Sequence, residues 1–327
     1  MKTWKLGLRP PSLPAALLAC LVGAGTASLA WAQQYPTKGI EWIVMWSAGG
    51  GADTATRTFT KYFEKEIGQN VVVKNVTGGG GSIGYMTSMR TRPDGHHLVT
   101  VQGDLAKFTP MQLASIKIQD FDIIGGFAFQ SPIVIARVDS PWKTMKDFME
   151  DAKKNPGQRT IGVSDIGGAH HQPVVLWAKA AGLKIRAVAH AGSPQMNAAL
   201  LGGHVDVIAS YIRPAKPYIK EGKLRFLGYF GAKRPEEFPD TPTFKEMGYD
   251  VVWEQPYGIG GPAGIPGEIK AKLSAATEAV RKNAVFKSDL AKLGLEVYDV
   301  NGPQFKTSLT KMQDGIAEVI GILKAQK

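Results

Sequence analysis

The chain has 327 residues, 44% hydrophobic and 20% charged, with a mean hydropathy of −0.10. That balance excludes a disordered chain and a polytopic membrane protein. Its one cysteine, Cys20, excludes an intrachain disulfide and a cysteine-rich zinc site. Lys and Arg number 39 against 28 Asp and Glu, a formal net charge of +11, which suits an anionic partner. The basic residues are dispersed rather than gathered in a stripe, which argues against nucleic acid.

Lys2, Lys5 and Arg9 make a basic start, Leu13 to Ala30 is uncharged, and Ala30-Trp31-Ala32 has the small-x-small form of a signal peptidase site. Residues 1–32 are therefore predicted to be a signal peptide. Cleavage after Ala32 takes 32 of 327 residues and leaves 295, with three fewer basic residues, 36 against 28, or +8. A retained anchor is the alternative, since the run is long enough to span a bilayer, although Pro14, Gly23, Gly25, Thr26 and Ser28 make it a poor one. Leu17-Leu18-Ala19-Cys20 resembles a lipidation box, but the apolar run continues past the cysteine. The expected location is periplasmic.

Beyond residue 32, short β-rich runs alternate with longer amphipathic ones. Strands are predicted at Ile40–Trp46, Val71–Val76 and His97–Val101, with helices at Ala52–Ile67 and Ser82–Met89 between them. Phe121–Phe129 and Ile133–Val138 read as adjacent strands, after which the alternation restarts. Helices are expected at Met145–Lys153, Gln172–Ala181 and Gln195–Leu201, and strands at Thr160–Val163, Arg186–His190, Val205–Ala209, Leu224–Phe230 and Val251–Ile259. The C-terminal part is helical, and its last helix, near Pro303–Lys324, sets Phe305, Leu309, Met312, Ile316, Ile320 and Leu323 on one face. Two βαβ units with crossover strands near 130 and 255 predict an α/β protein of two doubly wound lobes.

Ligands of such folds bind at strand-to-helix loops, and three of these are glycine-rich. They are Ser47-Ala48-Gly49-Gly50-Gly51-Ala52-Asp53, Gly78-Gly79-Gly80-Gly81-Ser82-Ile83-Gly84 and Ser164-Asp165-Ile166-Gly167-Gly168-Ala169-His170-His171. Gly49, Gly50, Gly80 and Gly81 are expected to expose backbone N–H groups at helix starts, where an anion is favoured. None of the loops has the spacing of a dinucleotide fingerprint or a P-loop.

The motifs Tyr35-Pro36-x-Lys38, Ala48-Gly49-Gly50-x-x-Asp53, Gly68-Gln69-x-Val71-Val72-Val73, Gly78-x-Gly80-Gly81-x-Ile83-Gly84 and Pro93-Asp94-Gly95 resemble the Bug family. These are the extracytoplasmic solute receptors of tripartite tricarboxylate transporters. Gly192-Ser193, Leu200-Leu201-Gly202-Gly203-x-Val205-Asp206, Pro239-x-x-Pro242-Thr243 and Pro262-Ala263-Gly264-x-Pro266 continue the likeness over nearly all of the chain after residue 32. The resemblance implies a type II periplasmic-binding-protein fold that closes like a Venus flytrap. Its ligand would be a di- or tricarboxylate, an acidic amino acid or an aromatic acid, held by the three loops. On it, lobe one comprises residues 33–132 and 254–327, and lobe two residues 133–253. The expected partners are a small organic anion and, transiently, an inner-membrane permease or a sensor, with no nucleic acid, no cofactor and a monomeric receptor. The expected ligand-binding residues are Ser47, Ala48, Gly49, Gly50, Asp53, Gly80, Gly81, Ser82, Ser164, Asp165, Gly167, Gly168, His171, His190 and Arg213.

The chain departs from the family pattern in several places. It has Val76-Thr77 where Arg-Pro is usual, Asp165 and Gly168 where Gly and Ser are usual, Ala189-His190-Ala191 for Pro-Tyr-Lys, and Ser210 for an aspartate. An acid has entered a cradle expected to hold an anion, which fits a ligand with an amino or hydroxyl group, or a relocated helix cap. Arg213 is either a carboxylate clamp or a surface residue. Trp46 and Trp253 either wall the cleft or belong to the core. His170, His171, His190 and His204 lack chelating spacing, so a metal-binding receptor is the weaker rival. No nucleophile elbow or catalytic cysteine is present, leaving an exported α/β hydrolase as the rival from another class.

Overall fold

Strand β1 (Ile40–Val44) leads into helix α1 (Gly51–Ile67), followed by β2 (Val71–Asn75), a 3₁₀ turn at Gly79–Gly81, α2 (Ser82–Met89) and β3 (His97–Gln102). A second 3₁₀ turn at Gly103–Lys107 and the short α3 (Phe108–Met111) precede β4 (Phe121–Gln130) and β5 (Ile133–Arg137). Next come α4 (Met145–Lys154), β6 (Thr160–Val163), α5 (His171–Ala180), β7 (Arg186–Ala189) and α6 (Ser193–Leu201). The remaining elements are β8 (Val207–Ser210), α7 (Ile212–Lys220), β9 (Leu224–Tyr229), β10 (Gln255–Pro262), α8 (Gly267–Lys282), α9 (Ala284–Ala291) and α10 (Gly302–Ala325). The computed structural model describes Met1 and residues 35–325. The expected Ala30-Trp31-Ala32 cleavage site and Cys20 lie outside the described residues. Residues 38–325 lie in one compact unit.

Local chemistry explains the helix limits. In α1, Ala55, Phe59, Phe63 and Ile67 recur at helical spacing and are buried, and Gly68 ends the helix in the left-handed region at φ 75°. Helix α4 starts on a capping box, with Thr144 Oγ1 accepting the Asp147 N–H and the Asp147 carboxylate accepting the Thr144 N–H.

One five-stranded sheet runs β2-β1-β3-β10-β4 and the other β7-β6-β8-β5-β9. Strands β1, β2 and β3 are parallel, while β10 is antiparallel to both β3 and β4. The second sheet repeats the plan, with β6, β7 and β8 parallel and β5 antiparallel to both β8 and β9. The chain thus crosses between the two α/β lobes twice, from β4 to β5 and from β9 to β10.

Each lobe has its own aromatic core. Trp42 packs edge-on against Phe59, Phe63 and Phe127 in the first lobe, and its indole N–H donates to Thr100 Oγ1 at 2.8 Å, so no polar group is stranded. In the second lobe Trp142, Phe148, Trp177, Phe230 and Phe244 are buried together. Helix α10 packs against β4 and the 103–107 turn of the first lobe and against α5 of the second, burying Phe305, Leu309, Ile316 and Val319.

Two strands begin later than their sequence predicts. The apolar run at 251–259 divides between lobes. Val251 and Trp253 pack on the second-lobe core and the Trp253 N–H bonds Phe230 O at 2.8 Å, whereas β10 starts at Gln255 in the first-lobe sheet. Strand β8 starts at Val207 rather than Val205, because the Asp206 carboxylate accepts the Thr160 N–H at 2.7 Å and the Thr160 hydroxyl at 2.9 Å.

Candidate functional site

Loops from both lobes meet at a buried cavity of about 40 Å³; a water needs roughly 10–15 Å³ by the same measure, so the space takes a few waters or one small molecule. The first loop is fixed from behind. Asp53 is buried, and its Oδ2 accepts the Gly49 N–H at 2.9 Å while Oδ1 accepts from Arg57 Nε and Asn75 Nδ2, each at 2.9 Å. With the loop so held, Gly50, Gly51 and Ala52 at the start of α1 line the cavity. The first N–H groups of a helix have no acceptor within it, and the helix dipole adds partial positive charge there. Gly51 is required sterically, since a Cβ would run into the side chains of Gln130 and Tyr211 and lie 3.0 Å from the Tyr257 hydroxyl.

The second lobe contributes a matching element. Gly192, Ser193 and Pro194 at the start of α6 line the same cavity, so two helix N-termini, one from each lobe, converge on it. The crossovers close the wall: Gln255 and Tyr257 lie at the start of β10, and Tyr257 is hydrogen-bonded to Gln130 at the end of β4.

Beside this cavity a fully buried lysine joins the lobes. Lys107 Nζ is paired with Asp165 of the second lobe and lies 3.8 Å from Asp104 Oδ1 of the first. Burial alone would lower the Lys107 pKa, but the two carboxylates outweigh it and hold the ammonium above its usual value. Burial pushes Asp104 up to about 6, with Lys107 pulling it down and Asp165 pushing it up. Asp104 Oδ1 also accepts the Ala169 N–H at 3.1 Å, and Oδ2 accepts from Gln102 Nε2 at 3.0 Å.

The third loop is held by its own histidines. His171 Nδ1 accepts the Gly167 N–H at 2.9 Å, and His170 Nδ1 is 2.7 Å from Ser164 Oγ, which donates to Asp165 Oδ1 at 2.9 Å. Burial pushes both histidines down to about 4, so both rings are neutral at pH 7.

Of the residues singled out from sequence, Ser47, Gly50 and Ser164 line the cavity. Ala48 lies within the same loop, while Gly49 and Asp53 brace it from behind. Gly80, Gly81 and Ser82 are not in the cavity wall; the second loop lies over the ion pair, where a Cβ on Gly80 would stand 3.4 Å from Lys107 Nζ and 3.5 Å from Asp165 Oδ2. Asp165 is committed to Lys107, and Gly167, Gly168 and His171 form the internal frame of the third loop. His190 stands half-buried beside Gly162 of β6, away from the cavity wall. Arg213 Nη1 donates to Thr54 Oγ1 at 2.5 Å and faces a separate groove with Arg57, Lys61 and Lys292. Trp46 lines the cavity. Among the described residues, no group of three or more His, Cys, Asp or Glu is placed to hold a metal.

Sequence reasoning missed Gln102, Asp104, Tyr211, Gln255 and Tyr257, all of which line the cavity. None lies in a glycine-rich loop. The signal available for Gln255 and Tyr257 was their place near the second crossover.

Two α/β lobes, crossed twice by the chain and closing on a cavity at their helix N-termini, define a solute receptor of the type II periplasmic-binding-protein class. The chain belongs to the tripartite tricarboxylate transporter family receptors, whose family model matches residues 55–324. It is 32% identical over 317 residues to a Cupriavidus necator protein described as the UPF0065 protein in the gbd 5′ region, covering 95% of this chain and 96% of the relative. The solved structure of the periplasmic binding protein BugD is 25% identical with a TM-score of 0.80, covering 88% of this chain and 98% of that one. The fold is shared by MatC from Rhodopseudomonas palustris with bound malate, at 22% identity and a TM-score of 0.79 over 88% of this chain and all of that one. The family is one of receptors, and the reading of the chain as a hydrolase gives way to it. Among the described residues no helix is long and apolar enough to cross a membrane.

Proposed function

We propose that this chain is a periplasmic receptor that captures a small organic carboxylate between its lobes and delivers it to a tripartite tricarboxylate transporter-type permease or a sensor. The observation that carries this reading is the convergence of the α1 and α6 N-termini, one from each lobe, on one buried cavity. Backbone N–H groups at such positions stabilise a carboxylate without a basic side chain. A relative of the same fold holding malate supports an organic acid as the class of ligand. On this reading residues 1–32 direct export, residues 33–132 and 254–327 form one lobe, and residues 133–253 form the other.

The test is a thermal-shift screen of organic acids on the full chain, followed by calorimetry. A ligand at 100 times its dissociation constant adds about 2.7 kcal/mol to folded-state stability. One-to-one retention of an unmodified acid is expected. The absence of stabilisation by any acid, or turnover of the acid, overturns the reading.

A further inference from the structure

The polar atoms around Asp104 have a bias that bears on which acid is bound. Gln255 is 1% exposed, yet neither its Oε1 nor its Nε2 has a hydrogen-bond partner. His170 is 6% exposed, and its Nε2 is likewise unpartnered. The tautomer of His170 follows from its neighbours. Ser164 has one proton and gives it to Asp165, so the 2.7 Å contact between His170 Nδ1 and Ser164 Oγ must be donated by His170. That leaves Nε2 of the neutral ring as a bare acceptor. Asp104 adds a buried carboxylate whose two oxygens each accept one hydrogen bond from the protein, leaving further lone pairs.

The buried side-chain atoms here that lack a protein partner are thus two acceptors, His170 Nε2 and Gln255 Oε1, against one donor, Gln255 Nε2, with the Asp104 carboxylate a third acceptor, while the Tyr211 and Tyr257 hydroxyls are hydrogen-bonded to each other and to Gln130. No lysine or arginine lines the cavity among the described residues. The neighbouring cation, Lys107, is already held between Asp104 and Asp165. A second carboxylate on the ligand would bring only acceptors to this wall and place like charge beside Asp104. A group that brings N–H donors would satisfy atoms that are otherwise stranded, and buried polar atoms without partners are costly.

We propose that the ligand carries one carboxylate, received by the α1 and α6 N-termini, and a second polar group that is an N–H donor, either an ammonium or a primary amide, received by Asp104, His170 and Gln255. These three residues select that ligand over a dicarboxylate of the same length. The inference rests on the reading of the chain as a receptor for organic acids and narrows it.

Matched acids test it by calorimetry on the full chain at pH 8. The aliphatic set is succinate, succinamate and 4-aminobutyrate, and the aromatic pair is terephthalate and 4-carbamoylbenzoate. In at least one set the amide or ammonium member is expected to bind ten-fold or more tighter than the dicarboxylate. Whether amide or ammonium is preferred identifies the donor group. In Gln255→Leu and Asp104→Asn, each checked for cooperative unfolding, the ratio is expected to fall at least three-fold in one or both. Dicarboxylates that bind as well as or better than every amide and ammonium member in both sets overturn the inference and leave the receptor reading intact. A ratio unmoved in both variants overturns the assignment to these residues. If none of the five acids binds, the inference falls, and the receptor reading is then judged separately by the wider acid screen.

Discussion

The first and second glycine-rich loops have nearly the same composition and follow neighbouring parallel strands, yet they do different work. The first, tied back by Asp53, leaves the start of α1 open to the cavity. The second takes positive φ at Gly78, Gly79, Gly80 and Gly81 and spends that freedom on passing close to the Lys107–Asp165 pair. Glycine content reports that the backbone must turn tightly; what the turn faces is decided by the other lobe. At the first loop the other lobe presents the start of α6, and at the second it presents a carboxylate.

The largest expected effect lies at the second loop. Lys107→Met removes the cation between Asp104 and Asp165, and breaking a buried pair in this way costs about 3–5 kcal/mol; urea unfolding measures it. A loss under about 1 kcal/mol would mean that the second loop does not depend on the pair beneath it.

Acid should separate the loops next, because the pair depends on a third loop braced by histidines. His170 and His171 titrate in the fold near 4, below their ordinary 6.5. The stability they lend is complete above pH 6.5 and is lost as pH falls through about 4. Asp104 has the opposite sign: its value of about 6 lies above the ordinary 3.8, so its contribution is complete below 3.8 and is lost as pH rises through 6. Two histidines, each worth up to about 3 kcal/mol at 1.36 kcal/mol per pH unit, should outweigh it, and melting temperatures should fall between pH 6.5 and 4. His171→Gln should flatten that slope.

At the first loop, Gly51→Val should weaken ligand binding about 100-fold or more, roughly 2.7 kcal/mol, because the side chain meets Gln130, Tyr211 and Tyr257. Calorimetry with an acid found in the screen reads this directly. The smallest effect is expected back at the second loop. Gly81→Ala, at φ 99° and with its Cβ 3.2 Å from Met45 Cγ, should cost about 1 kcal/mol of stability and change affinity less than about three-fold. Equal losses of affinity at Gly51 and Gly81 would erase the distinction between the loops.

Much of this was legible in the sequence. Glycines between a β-rich run and an amphipathic run placed Ser47, Gly50 and Ser164 at strand-to-helix loops, and these line the cavity. Helical spacing gave α1 and α10 to within a residue or two. Asp104 and Gln255 were not legible, because each reaches the cavity through an arrangement that no local pattern encodes. Asp104 sits in a 3₁₀ turn after β3, and Gln255 opens a strand whose preceding apolar residues belong to the other lobe's core. The family motifs likewise could not tell that Asp165 faces Lys107, since the partners are 58 residues apart and in different lobes.

The last helix sets a condition on how the receptor works in time. Helix α10 leans on β4 of one lobe and on α5 of the other, and Glu318 reaches Lys179 across that seam at 3.3 Å. On the proposed receptor reading, separating the lobes would have to slide α10 off α5 or drag it along, so the helix would restrain that motion. On the same reading solute enters while the lobes are apart, and the capture rate is the encounter rate scaled by the fraction of time spent in that state. On that reading the stiffness of a 24-residue helix, of whose described side chains none lines the cavity, is a control on capture speed.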